Sequence, residues 1–352
     1  MTSRFHCLTR TAAAAAAVTV SLTLAGAAAA SAAPTAPLQA SAAAPATHTV
    51  TVGSNPIDVA ISKSLGRAFV VNDGSVSVVS LLTHRQLDEF STGGNHGQNA
   101  IALVRGDTQG YLTNGDTNTV TVVDTETDKV VKHITVGARA TDVVKANTKH
   151  GQRAYVSYAV SAKLTGIATS SGKIVQQVKL PAGAQTMTMV PGGKRVWAGS
   201  IVDGRVFVVN TSTGKVTKTI KVTKAGPVTG IAFTPNHNRA WVAGLAGVSV
   251  VNVKTGKTVK FLPILSVFSS RTPNMGDVAV TGSGRYALVQ NSTFPENPAK
   301  GQIVAINTHT YKVAWRATTG VEPIGLAIDT ARHVAYVPNY VDDTLTYLSV
   351  PK

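Results

Sequence analysis

Arg67-Ala68-Phe69-Val70-Val71-Asn72 decides how this chain folds, because the stretch comes back. Short apolar runs built on an aromatic follow at Gly110-Tyr111-Leu112-Thr113-Asn114, Ala154-Tyr155-Val156-Ser157-Tyr158 and Val196-Trp197-Ala198-Gly199-Ser200. Two more stand at Ala240-Trp241-Val242-Ala243-Gly244 and Ala335-Tyr336-Val337-Pro338-Asn339. A degenerate copy, Tyr286-Ala287-Leu288-Val289-Gln290, fills the interval before the last and is anchored on Tyr286. The first five aromatics are 42 or 44 residues apart. Self-similarity at such a period points to a repeat architecture.

Each anchor run is one of four strand-like pieces. A first piece precedes it, as in Val59-Ala60-Ile61 or Ile231-Ala232-Phe233. A third follows, as in Val120-Thr121-Val122-Val123 or Val206-Phe207-Val208-Val209, then a turn such as Thr213-Gly214-Lys215, then a fourth piece such as Lys132-His133-Ile134-Thr135-Val136. Short β-branched runs punctuated by Gly, Asn, Asp and Thr are strands and tight turns, and no helical period of useful length follows residue 47. The chain is therefore expected to be all-β: a seven-bladed β-propeller of four-stranded antiparallel blades. The repeats run at about 54–94, 95–137, 138–183, 184–226, 227–271, 272–320 and 321–352. The seventh has no room for a fourth strand, while His48-Thr49-Val50-Thr51-Val52-Gly53 is an unattached copy of one, matching Lys132 to Gly137. Residues 48–53 are expected to complete the last blade and to remove the open sheet edge.

The same residues resemble the YVTN-repeat family of β-propellers, exported bacterial type. Gly53-Ser54-Asn55-Pro56-Ile57-Asp58-Val59-Ala60-Ile61-Ser62, Ala335-Tyr336-Val337-Pro338-Asn339 and Val208-Val209-Asn210-Thr211-Ser212-Thr213-Gly214-Lys215 carry the likeness, which covers residues 48–352. Repeats three and six depart from it, with Tyr158 in place of Asn and insertions in the sixth. The resemblance implies a seven-bladed scaffold on an exported or surface-bound protein. It does not imply one activity.

Upstream of the repeats, Arg4 and Arg10 precede a charge-free run over residues 11–30 and the small-x-small pattern Ala30-Ser31-Ala32. Basic head, apolar middle and small-residue exit make residues 1–32 a secretory signal peptide, and the Ala-rich middle argues against a membrane anchor. Residues 33–47, mostly Ala, Pro, Thr and Ser, form a flexible linker. The protein is expected to be secreted or wall-associated, with no transmembrane segment once the leader is removed. The single cysteine, Cys7, leaves with that leader, so no disulfide is expected.

Lys and Arg number 33 against 17 Asp and Glu, a formal net charge of +16. In a blade the first-to-second and third-to-fourth loops share one face. Lys63, Arg67, Arg105, Lys149, Arg153, Lys194, Arg195, Arg239, Arg285 and Arg332 fall in the first kind of loop. Arg85, Lys129, Lys173, Lys215, Lys257 and Lys312 fall in the second. Acids there are few: Asp107, Glu126, Asp128 and Asp329. Such a face suits a polyanion, a nucleic acid or an anionic wall polymer, held through phosphate contacts and counterion release. Ordinary turn chemistry and solubility explain the same lysines, and both readings stand. A protein partner is the other candidate, and a monomer is expected.

On the opposite face, His96, Arg139, Arg271, Asn274, Asp277 and Glu322 converge on the pore mouth. His, Asp and Glu there could bind a divalent metal, but solvated loop polars are the preferred reading and no cofactor is expected. The long sixth-repeat loops open on that side. No nucleophile elbow, zinc motif, cysteine pair, Walker loop or dinucleotide fingerprint is present, so no catalytic residue is assigned. The sequence reads first as a non-enzymatic binding or scaffold propeller. The alternative is a propeller enzyme, lactonase- or lyase-like with a metal, or a quinoprotein-like oxidoreductase, working at the pore mouth.

Overall fold

The computed structural model describes residues 43–93, 97–200, 202–263, 276–291 and 300–352. The expected signal peptide, most of the linker and the bulk of both sixth-repeat insertions lie outside the described residues. Within them are seven four-stranded antiparallel sheets, and the one helical element is a single 3-10 turn at Thr223–Ala225. The innermost strands are Asp58–Ser62, Gln98–Val104, Ala140–Thr148, Thr186–Met189, Val228–Phe233, Val278–Val280 and Ala327–Asp329. Each touches the next around a complete ring, the seventh meeting the first.

The alternation of every strand dictates where the core sits. Side chains on the two faces of a blade meet those of its two neighbours, so apolar residues are needed on both faces. The buried residues accordingly fall into seven clusters, one in each cleft between adjacent blades. Phe69, Tyr111, Tyr155, Trp197, Trp241 and Tyr336 are each at most 1% exposed, which explains why the repeat was so visible.

In blade six the register corrects the sequence reading. Leu288 pairs with Ala279 as Phe69 pairs with Ala60, so the anchor position is held by Leu288 and not by Tyr286. The missing aromatic comes from another strand. Trp315, on the outer strand Val313–Val321, stands in the same cross-strand row and is 1% exposed. Its ring lies 6.4 Å from that of Tyr286. The cleft volume is filled from a different strand, as close packing requires.

The N-terminal strand Thr47–Thr51 pairs antiparallel with Thr344–Ser349, in register from Thr47 opposite Leu348 to Thr51 opposite Thr344. It is the fourth strand of the sheet that contains Ala327–Asp329 and Val334–Asn339. Val52 is buried in the cleft between blades seven and one, with Val50 packed against it. The Tyr347 ring is stacked between His48, at 5.4 Å, and His84 of blade one, at 4.0 Å and 10°.

The turns joining third to fourth strands carry a repeated local device. The Asn or Asp that ends the third strand accepts backbone N–H groups two and three residues on, as Asn210 does from Ser212 and Thr213, and Asp124 from Glu126 and Thr127. A left-handed residue follows: Gly172, Gly214 and Gly256 in three blades, and His84, Asp128 and Tyr311 in others. The glycines meet a second constraint. A Cβ on Gly172 would stand 2.3 Å from Lys132 Nζ, one on Gly214 2.4 Å from Gln176 Nε2, and one on Gly256 2.9 Å from Lys218 Cε. The outer strand of each of these preceding blades leans on the next blade's turn.

Candidate functional site: a basic face and an acidic hub

Antiparallel pairing of consecutive strands puts the first-to-second and third-to-fourth loops at one edge of every blade. The basic residues assigned to that edge stand there. All are exposed except Arg67 and Arg239, which are half-buried, and Arg153, which is buried. Arg153 is turned inward, away from the solvent-facing role the sequence suggested. Its guanidinium donates to Gln176 Oε1 at 2.9 Å and to the Thr211 carbonyl at 3.4 Å, tying blade three to blade four. Sequence reasoning missed Lys254, exposed on the turn beside Lys257.

The acids of this face are mostly engaged. Asp128 pairs with Arg67 at 3.2 Å, and Asp329, wholly buried, with Arg332 at 2.9 Å. Asp107 accepts from Ser62 and Ser64 and lies 3.8 Å from Lys145. Glu126 alone of the four is exposed. Lys63, Arg85, Arg105, Lys149, Lys173, Lys194, Lys215, Lys257 and Lys312 form no ion pair with the described acids. The potential outside this face is therefore positive, screened over about 10 Å at 0.1 M salt.

At the other edge, Asp58, Asp142 and Asp277 stand at matching positions at or near the start of the innermost strands of blades one, three and six. Each carboxylate reaches across to the next blade. Asp58 Oδ2 accepts the Ile101 N–H at 2.9 Å and Asp142 Oδ2 the Met187 N–H at 2.5 Å, and the Leu326 N–H favours the charged form of Asp277. Each also caps its own strand through Val59, Val143 or Val278. In the remaining blades the matching position holds Ala100, Thr186, Gly230 or Gly325. The glycine at 230 makes room, since a Cβ there would lie 2.5 Å from Asp277 Oδ1.

All three residues are half-buried. Burial raises Asp58 to about 6, Asp277 to about 7 and Asp142 to about 8, against the opposing pull of their backbone hydrogen bonds. The charges of Asp58 and Asp277 push Asp142 further in the same direction. Groups that keep protons in the folded chain and shed them in the unfolded one contribute stability that is whole below the ordinary value of 3.8 and is lost as pH rises through 6 to 8. Asp142→Asn, shaped like the protonated acid, removes part of that loss. Between pH 5 and pH 9 the variant is expected to gain on wild type by at least about 1.4 kcal/mol, the worth of one pKa unit. Urea melts at both pH values measure it, and parallel pH curves for the two proteins count against the hub's linkage.

Of the pore-mouth candidates, His96, Arg271 and Asn274 lie outside the described residues. Arg139 is exposed, its N–H donating to Asn118 Oδ1. Glu322 is half-buried, and burial raises its carboxyl. Asp277 belongs to the hub. Among the described residues no three His, Cys, Asp or Glu gather closely enough to hold a metal ion. The same residues contain no helix long and apolar enough to cross a membrane.

No protein-family model matches this sequence, and no curated protein matches it. Among solved structures, a chain of Kuenenia stuttgartiensis hydrazine synthase superposes with a TM-score of 0.71. The match covers 84% of this chain and 96% of that one, at 17% identity. Likeness at that level is a likeness of fold.

Proposed function

We propose that this propeller is an exported, non-catalytic binding module whose basic face docks a phosphate-bearing polyanion, a nucleic acid or an anionic wall polymer. The observation that carries the reading is the contrast within that face: its acids are mostly consumed in internal pairs while most of its lysines and arginines stand exposed without one. A binding face needs no recognition helix for this, because phosphate contacts are independent of sequence. The anchor aromatics are buried between blades and offer no stacking platform, so base-specific reading is not part of the proposal. The charged leader and small-residue exit at residues 1–32 support export, where wall polymers and released nucleic acid are met.

Retention on immobilised duplex DNA tests the reading. The chain is expected to bind at 50 mM salt and to lose affinity by about 10³-fold or more by 200 mM, as 6–10 phosphate contacts imply. Failure to bind at 50 mM, or retention indifferent to salt, disposes of it.

A further inference from the structure

The seven clefts between blades repeat one another, so each can be compared with its neighbours residue by residue. Between blades three and four the outer part of the cleft, on the basic face, is bridged by a closed set of hydrogen bonds. The Tyr155 hydroxyl donates across the cleft to the Thr211 carbonyl at 2.8 Å. Gln176 Oε1 accepts from Arg153, which also reaches Thr211. Tyr111 repeats the reach one cleft earlier, toward the Thr169 carbonyl at 3.5 Å.

Between blades four and five the same positions hold Arg195, Trp197, Lys218 and Val253, and the set does not close. Trp197 pairs with Val208 as Tyr155 pairs with Gly166, so the indole occupies the place of the phenol. Its Nε1 is buried and finds no acceptor. An unpaired buried donor is costly, typically about 1–3 kcal/mol, and native chains rarely keep one without a reason. Lys218, in the place of Gln176, donates to the carbonyls of Thr255 at 2.6 Å and Lys254 at 3.3 Å. Arg195, unlike Arg153, is exposed. This cleft keeps a cavity of about 260 Å³ lined by Arg195, Trp197, Lys218, Val253, Lys254 and their neighbours Thr217 and Val208. Three cations border it, and no carboxylate does.

We infer that this cleft is a binding site for a tetrahedral oxyanion, a phosphate group above all, and that it is the specific grip within the basic face. The inference deepens the polyanion reading and rests on it for its biological ligand. Arg195 presents a planar fork of donors suited to two oxygens of a phosphate, and Lys218 and Lys254 supply point charges on either side. The cavity has room for two linked phosphates, so inorganic pyrophosphate fits it as a free probe.

Calorimetric titration of the full chain with pyrophosphate at low ionic strength tests the site, with sulfate as the comparison anion. One saturable equivalent is expected. The double variant Lys218→Gln with Trp197→Tyr, which restores the two side chains that bridge the cleft next door, is expected to bind at least tenfold more weakly. Lys254→Gln, at an exposed position that folding does not depend on, is expected to weaken binding several-fold at an unchanged melting midpoint. Binding is also expected to alter tryptophan fluorescence, a response that Trp197→Phe abolishes. No saturable binding to the unaltered chain, or equal binding by Lys254→Gln and the double variant, overturns the inference. Salt-dependent DNA retention without pyrophosphate binding removes this site and leaves the face. Pyrophosphate binding without DNA retention removes the polyanion reading and leaves the site. Equal affinity for sulfate and pyrophosphate assigns the cleft to the shared oxyanion charge and overturns the preference for phosphate.

Discussion

A chain lacking residues 43–52 is expected to melt about 10 °C or more below the intact protein and to aggregate as it does so. The deletion removes the strand Thr47–Thr51 and its ladder against Thr344–Ser349, together with buried Val52 and the His48 ring stacked on Tyr347. At about 1 kcal/mol net for each ladder hydrogen bond and about 1.5–3 kcal/mol for a buried valine, the loss is at least about 5 kcal/mol. In a chain of this size each kcal/mol lowers the midpoint by about 2 °C. What remains has an open edge bearing Leu345 and Leu348 beneath it, which invites pairing between copies. Scanning calorimetry with light scattering reads both effects. A midpoint within 2 °C of the intact chain, without scattering, shows that the first strand does not hold the ring together.

Changing Arg195, Lys215, Arg239 and Lys257 to Glu is expected to lower affinity for duplex DNA by about three orders of magnitude near 0.1 M salt. The four belong to blades four and five on the basic face, and removing four phosphate contacts flattens the logarithmic salt slope by about 3.6. Fluorescence anisotropy with a labelled duplex, repeated from 50 to 200 mM salt, measures affinity and slope together. Their side chains are exposed or half-buried, so the fold is expected to survive, which a melting curve confirms. An unchanged slope sinks the assignment of this face.

What the sequence disclosed and what it hid have the same origin. The anchors were legible because one aromatic fills each cleft from one strand position. Blade six misled because Trp315 fills its cleft from the outer strand, and Tyr286 imitates an anchor two residues away from Leu288. The sorting of loop charges was legible because antiparallel strands alternate their ends without exception. The inward turn of Arg153 was not, since it depends on Gln176 and Thr211, which come from two other strands. Asp58, Asp142 and Asp277 look like three unrelated strand-leading acids until the ring brings their blades into one circle, and their backbone partners lie in the following repeat each time. The cleft of Trp197 was beyond a linear reading for a similar reason. Its signal is Trp197 and Lys218 where its neighbour has Tyr155 and Gln176, and those differences mean nothing until the two clefts are superposed.

The lean of outer strands on the following turn glycines gives the wheel a direction. Lys132 fits over Gly172, Gln176 over Gly214 and Lys218 over Gly256, so in these clefts a module's rim is shaped by the module behind it. Swapping or duplicating a whole module would bring together a long side chain and a turn that never evolved to admit it. The transferable unit in such a lineage is thus the seam, an outer strand with the next turn, and recombination points are expected inside modules rather than at their borders.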